Sequence, residues 1–175
     1  MRWTILLPWL AVAALAVTVV LGGCGRAGAG GDLTTAPGST TSARVERVVD
    51  GDTVVVRIGG RRERERVRYI GIDTPESVKP DTPVQCYAKA ASRENDRLVA
   101  GREVRLVFDR EARDVYGRLL AYVYRASDGL FVNRDLVRLG YAKTLVIRPN
   151  VAHEREFAAL RRTAQSRALG LWGAC

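Results

Sequence analysis

Four carboxylates and two arginines are the residues of this chain whose types and spacing could do chemistry. Asp50 and Asp52 flank Gly51 between two β-rich runs, and Asp73 and Glu76 flank Thr74-Pro75 at the end of a third. Barrel strands align their ends, so the two pairs could converge in one mouth. Clustered carboxylates repel unless a cation neutralises them, and oxygen ligands with a loop carbonyl suit Ca²⁺ or Mg²⁺. Either motif alone reads more readily as a plain turn or cap. Arg68, five residues before Asp73, and Arg118, after the Tyr116-Gly117 turn, change that balance. A guanidinium fork binds phosphate oxygens in pairs, and its charge can stabilise a phosphorane-like transition state.

The elements that must position these groups follow from pattern. Residues 44–50 and 53–58 read as strands joined at Asp50-Gly51-Asp52, with glycine supplying the bend. Residues 64–72 make a third strand, with Val67 and Tyr69 on one side and Arg66 and Arg68 on the other. A polar loop over 77–85 leads to a helix from Cys86 to Val99, stopped by Gly101. Strands over 103–109 and 118–124 follow. A short helix carries Val132, Leu136 and Leu139, and a last one after Pro149 carries Phe157, Leu160, Ala164 and Ala168. Five short strands with a helix after the third and about three helices in all predict an α+β fold built on a closed OB-type barrel. A sandwich is the alternative on pattern alone.

The first 43 of the 175 residues stand apart. Arg2 precedes an apolar run from Ile5 to Leu21, and Leu21-Gly22-Gly23-Cys24 follows. This resembles a bacterial lipoprotein signal over residues 1–23, cleaved before a lipidated Cys24. An uncleaved anchor and a plain signal with an incidental cysteine are the alternatives. Residues 24–43, rich in Gly, Ser, Thr and Ala, read as a flexible tether, so the folded domain spans 44–175. Setting aside Arg2, Arg26 and Asp32 leaves 26 basic and 18 acidic side chains, a formal charge of +8. That suits a polyanionic partner, either nucleic acid or an anionic membrane surface. With Cys24 lipidated, Cys86 and Cys175 remain as an even pair in an oxidising compartment, which predicts a disulfide, two buried thiols being the alternative. His153, the only histidine, excludes chemistry that needs two, and is expected on the surface at the start of the last helix.

Three blocks carry a resemblance. Val49-Asp50-Gly51-Asp52-Thr53-Val54, then Val67-Arg68-Tyr69-Ile70-Gly71-Ile72-Asp73-Thr74-Pro75-Glu76, then Asp114-Val115-Tyr116-Gly117-Arg118 are similar, in order and separation, to the signature blocks of the staphylococcal nuclease (thermonuclease) family. The resemblance covers about residues 44 to 173. It implies a calcium-dependent nuclease that hydrolyses phosphodiester bonds of DNA and RNA to 3′-phosphate and 5′-hydroxyl ends. Asp52, Asp73 and the Thr74 backbone carbonyl would hold Ca²⁺, with Asp50 behind them. Glu76 would orient or deprotonate water, and Arg68 and Arg118 would clamp the phosphate. With the lipid signal, it implies a monomer on the outer face of the cell membrane.

The chain also departs from the family. Leu145, Val146 and Ile147 stand where the family has aromatic side chains, and Val115 where it has a lysine. Tyr116 then remains as the expected stacking surface for a base. A non-catalytic nucleic-acid-binding barrel and a basic protein for anionic cell-surface polymers are the competing readings. Neither accounts for all six charged positions together.

Overall fold

The computed structural model of the chain describes Met1 and residues 33–59, 61–76 and 83–175. Cys24, the signal segment and most of the expected tether lie outside these residues. In chain order the elements are β1 Thr40–Val48, β2 Thr53–Ile58, β3 Arg64–Tyr69, β4 Ile72–Asp73, α1 Ala88–Val99, β5 Glu103–Val107, β6 Leu119–Arg125, α2 Val132–Arg138, β7 Lys143–Thr144, α3 Glu154–Ser166 and α4 Leu171–Ala174. Five strands close into a barrel in the order β1-β2-β3-β6-β5, antiparallel at every seam except the parallel β3–β6 pair. The period-two alternation does this. Val54, Val56, Val67, Tyr69, Val104, Leu106, Leu119, Ala121 and Val123 all point inward and are buried.

The domain starts earlier than its composition suggests. Thr40–Ala43, expected as tether, begin β1; its residues Thr40–Arg44 pair with β5, while Ala43–Val48 pair with β2. One strand has to serve two neighbours if the barrel is to close, so the ladder overrides weak local propensity. Ala43 is buried, and Leu33 packs against the core before the strand begins.

The expected third strand of 64–72 is broken. Gly71 adopts φ 81°, and a Cβ there would lie 2.8 Å from the Phe157 ring. The chain therefore turns at Ile70-Gly71, and Ile72–Asp73 leave the barrel to pair with Lys143–Thr144. Nothing in the local sequence signals that two-residue ladder. α1 likewise begins at Ala88 instead of Cys86, because Tyr87 sits at φ 68° and Cys86 is bonded to Cys175. On α3, Phe157 and Ala164 face the core, but Ala168 lies past the helix end with φ 49°. His153 sits at the start of α3 as expected and is half-buried, one side packed against the rings of Tyr122, Phe131 and Phe157.

The Cys86–Cys175 disulfide closes a loop of 89 residues and ties α4 to the start of α1. Restricting so long a loop in the unfolded chain stabilises the fold by about 4 kcal/mol in the chain-entropy description. Cys86→Ser/Cys175→Ser should therefore lower the denaturant midpoint sharply. Equal midpoints for the variant and the oxidised protein would show that the bond contributes nothing.

Candidate active site

The turn Asp50-Gly51-Asp52 connects β1 to β2 and rests directly on Thr74. A Cβ at Gly51 would lie 2.7 Å from three Thr74 side-chain atoms. The bend expected at this glycine is present, and what requires glycine there is room, since Gly51 does not take a positive φ. Asp52 is buried and well held. Its Oδ2 accepts from the Thr74 N–H at 2.8 Å and the Thr74 hydroxyl at 3.0 Å, and its Oδ1 from the Thr53 hydroxyl at 3.1 Å. The two acidic motifs are thus joined through Asp52 and Thr74.

Arg68 completes the junction. Its Nε lies 3.1 Å from Asp52 Oδ1. Its Nη1 donates to the carbonyls of Tyr69 and Ile72, both at 2.7 Å, and its Nη2 to Asp73 Oδ1 at 3.0 Å. Expected as a phosphate clamp in an open mouth, Arg68 is instead only 12% exposed and largely committed to protein acceptors. One Nη2 proton remains.

Arg118 is placed differently. Asp114, in the turn after β5, accepts from the Tyr116 N–H and the Arg118 N–H at 3.0 Å each, and from Arg118 Nε at 2.7 Å. Neither Nη group of Arg118 makes a hydrogen bond among the described residues. Glu76 is half-buried, its N–H donating to Gln85 Oε1 at 2.9 Å and its carbonyl accepting from the Gln85 N–H at 3.0 Å. Asp50, Asp52, Arg68, Asp73, Thr74, Glu76 and Arg118 all line one cavity of about 70 Å³. All the sequence-predicted catalytic and cation-binding positions meet there.

The charges in this cavity are crowded. Burial, then the neighbouring Asp52 charge, pushes the Asp50 carboxyl up from 3.8 to about 6. Burial also raises Asp73, against the opposing pull of Arg68. Hard oxygen donors in an acidic pocket fit a calcium-like cation in kind. Among the described residues no three acidic, histidine or cysteine side chains converge on one point.

A second cavity, of about 280 Å³, opens beside the first and shares Arg68 and Arg118 with it. Val115, Tyr116, Leu145 and Ile147 form its rim, and Tyr116 is 81% exposed. The Arg118 guanidinium lies over one face of the Tyr116 ring, 5.4 Å from its centre, so only the other face is open.

Sequence reasoning gave no role to Asp114, Gln85 or Asn95. Asp114 had a local signal, four residues before Arg118 in a turn where an Asp can bond the backbone two residues on. Asn95 donates to the Asp50 carbonyl at 2.9 Å and accepts from the Tyr69 hydroxyl at 3.0 Å, a link between α1 and the barrel that only the fold creates.

A closed barrel with an acidic pocket and, at its mouth, a guanidinium whose Nη groups are open defines an OB-type fold suited to phosphate esters. The comparisons narrow the class. The model of a family described as staphylococcal nuclease homologue matches residues 66–174. Thermonuclease of Staphylococcus intermedius is 44% identical over 128 residues, covering 73% of this chain and 74% of that protein. Thermonuclease of Staphylococcus hyicus is 39% identical over 129 residues, 74% of each. Endonuclease YncB of Bacillus subtilis is 40% identical over 130 residues, 73% of this chain and 60% of that one. The chain belongs to the staphylococcal nuclease family.

The Asp50 shift has a sign that can be checked. The folded state holds this proton more tightly than the unfolded chain, so the stabilisation is full below about 3.8 and is lost as pH rises through about 6. At pH 7, with divalent cations chelated, ionised Asp50 is a net cost of about 1–3 kcal/mol. Asp50→Asn keeps an acceptor for the Asp52 N–H. It should raise the denaturant midpoint at pH 7 and leave it nearly unchanged at pH 4. A variant no more stable than the parent at pH 7 would remove this account.

Proposed function

We propose that this chain is an extracellular nuclease that requires calcium and hydrolyses DNA and RNA to 3′-phosphate and 5′-hydroxyl ends. That it is a nuclease follows from its family and its relatives. The cation, the products and the residue roles are our reading. One observation carries it: the Nη groups of Arg118, held by Asp114 and unpaired, share a cavity with Glu76 and the aspartates.

A phosphodiester anion repels nucleophiles until its charge is neutralised, and water needs a base to attack it. Glu76, with its backbone fixed on both sides by Gln85, takes the proton of the attacking water. Arg118 offers both Nη groups to the phosphate oxygens and favours departure of the 5′ oxygen. Arg68 holds Asp52 and Asp73 apart from substrate and adds a single N–H. Calcium held by Asp52, Asp73 and the Thr74 carbonyl, with Asp50 behind, would supply further positive charge beside the phosphate.

Activity should vanish in a calcium chelator, return with Ca²⁺, and return poorly with Mg²⁺, which demands stricter octahedral geometry. Glu76→Ala and Arg118→Ala should each lower kcat by at least about 100-fold while the protein stays folded. Arg68→Ala should lower kcat and also destabilise by about 3–5 kcal/mol, because Asp52 is left buried and unpaired. Full turnover in chelator would end the metal mechanism, and a wild-type rate in one variant would end that residue's part.

We also read Cys24 as the lipid carrier and the following residues as a tether that holds the domain outside the cytoplasm, where a soluble form could also be shed. Among the described residues no helix is long and apolar enough to cross a membrane. Cys24→Ala should release the protein from the membrane fraction or block its processing. A variant that still sediments entirely with membranes would point to an uncleaved anchor.

A further inference from the structure

We propose that the substrate strand continues out of the cleft across the outer face of the barrel. There Arg66 and Arg47 bind its phosphates, and this row makes the enzyme favour long polynucleotides over short ones. The inference rests on the nuclease reading above and adds a second binding surface to it.

On β3, Val67 and Tyr69 point into the core, so Arg64, Arg66 and Arg68 point out. Alternate residues on a strand are about 6.6 Å apart. Each step from one outward arginine to the next is comparable to one nucleotide of an extended strand. Arg68 is the end of this line that enters the cleft.

Register then sorts the neighbouring cations into rows. Thr53 pairs with Arg68 at the site. One row further out, Val55 is flanked by Arg47 on β1 and Arg66 on β3, and in the row beyond, Arg57 is flanked by Arg44 and Arg64. The outermost row is already engaged in ion pairs: Glu46 pairs with both Arg57 and Arg64, and Glu103 with Arg44. The middle row is not. Arg47 and Arg66 are exposed and make no ion pair or side-chain hydrogen bond among the described residues. Between them Val55 faces outward yet is only 8% exposed, as expected if the two arginine stems lie across it.

Two unneutralised guanidinium groups, one row from an arginine in the cleft, fit the phosphates of a polynucleotide without regard to its bases. A flat anionic membrane meets the same charges less well. Docked on this face it would also cover the edge of the cleft where substrate must enter.

The test uses the full chain carrying Cys24→Ala, so that no lipid confounds binding, and compares long poly(dT) with a dinucleotide. In Arg47→Ala/Arg66→Ala the ratio of kcat/KM on the polymer to that on the dinucleotide should fall about tenfold. The slope of log affinity against log salt for the polymer should flatten by about 1.4, or about 0.7 for each lost phosphate contact. Filter binding of poly(dT) in chelator, which needs no turnover, should weaken by the same factor. Arg155→Ala/Arg162→Ala, which removes the same charge from exposed positions on α3, should hold the ratio within twofold. Equal losses in both double variants would overturn the proposal, leaving only a general positive field. So would a dinucleotide loss as large as the polymer loss. It would also fall if binding to phosphatidylglycerol vesicles were lost while poly(dT) binding stayed unchanged, which would make the row a membrane contact. Inactivity of the parent on both substrates would count against the nuclease reading, whereas the filter-binding comparison would still decide the row.

Discussion

The Arg68 guanidinium bonds three segments at once: the β1–β2 turn, the Ile70-Gly71 turn and β4. Its Nε meets Asp52 from the β1–β2 turn, its Nη1 closes the Ile70-Gly71 turn through the carbonyls of Tyr69 and Ile72, and its Nη2 meets Asp73 on β4. Asp52 is 4% exposed, and its two carboxylate oxygens are met there by that charge and by the Thr53 and Thr74 donors. Lysine could not take its place. An ammonium has three donors about one atom, whereas these acceptors are spread around a planar fork. The two acidic motifs are therefore held together twice, directly through Asp52 and Thr74 and through Arg68 at the end of β3, which has the geometry to bond both.

Three buried asparagines do for the loops what Arg68 does for the carboxylates. Asn133, on α2, accepts from the Val123 N–H and donates to the Ile70 carbonyl, so the chain's exit from β3 is fixed against β6. Asn95, on α1, fixes the Asp50 carbonyl against the Tyr69 hydroxyl. Asn150 pairs with both backbone groups of Glu111, accepting its N–H and donating to its carbonyl, and so holds the loop that carries Asp114. Each satisfies backbone groups that have no partner in the barrel ladder. The helices contribute to the site mainly as the platforms from which these amides reach.

How much of this was legible follows from how local each cause is. The inward alternation of β2, β3, β5 and β6 is a period-two signal and was readable, as were the six charged positions, since each lies beside a turn with Gly or Pro. The start of β1 at Thr40 was not, because its threonines and serine resemble linker and only closure against β5 selects the strand. The break at Ile70-Gly71 depends on Phe157, 86 residues away. The difference between Arg68 and Arg118 was equally hidden. Both are arginines next to acidic residues in sequence, but one is enclosed by carbonyls from its own turn and the other is held by Asp114 with its fork left open.

That difference also bears on how a substrate can be recognised. The larger cavity beside the reaction centre has an apolar rim of Val115, Leu145 and Ile147. Its buried amide, Asn150, has both ends engaged with Glu111, so it has little left with which to read a base edge. Tyr116 presents one open ring face, since Arg118 covers the other. Stacking and apolar contact tolerate any base, and hydrogen bonds to base edges are what discriminate. On the proposed reading, affinity must then come from phosphate, through Arg118 and the positive surface around it. A hydrolase built this way has no means of choosing a sequence, but it can cut wherever a strand bends far enough to bring a phosphate between Glu76 and the open fork.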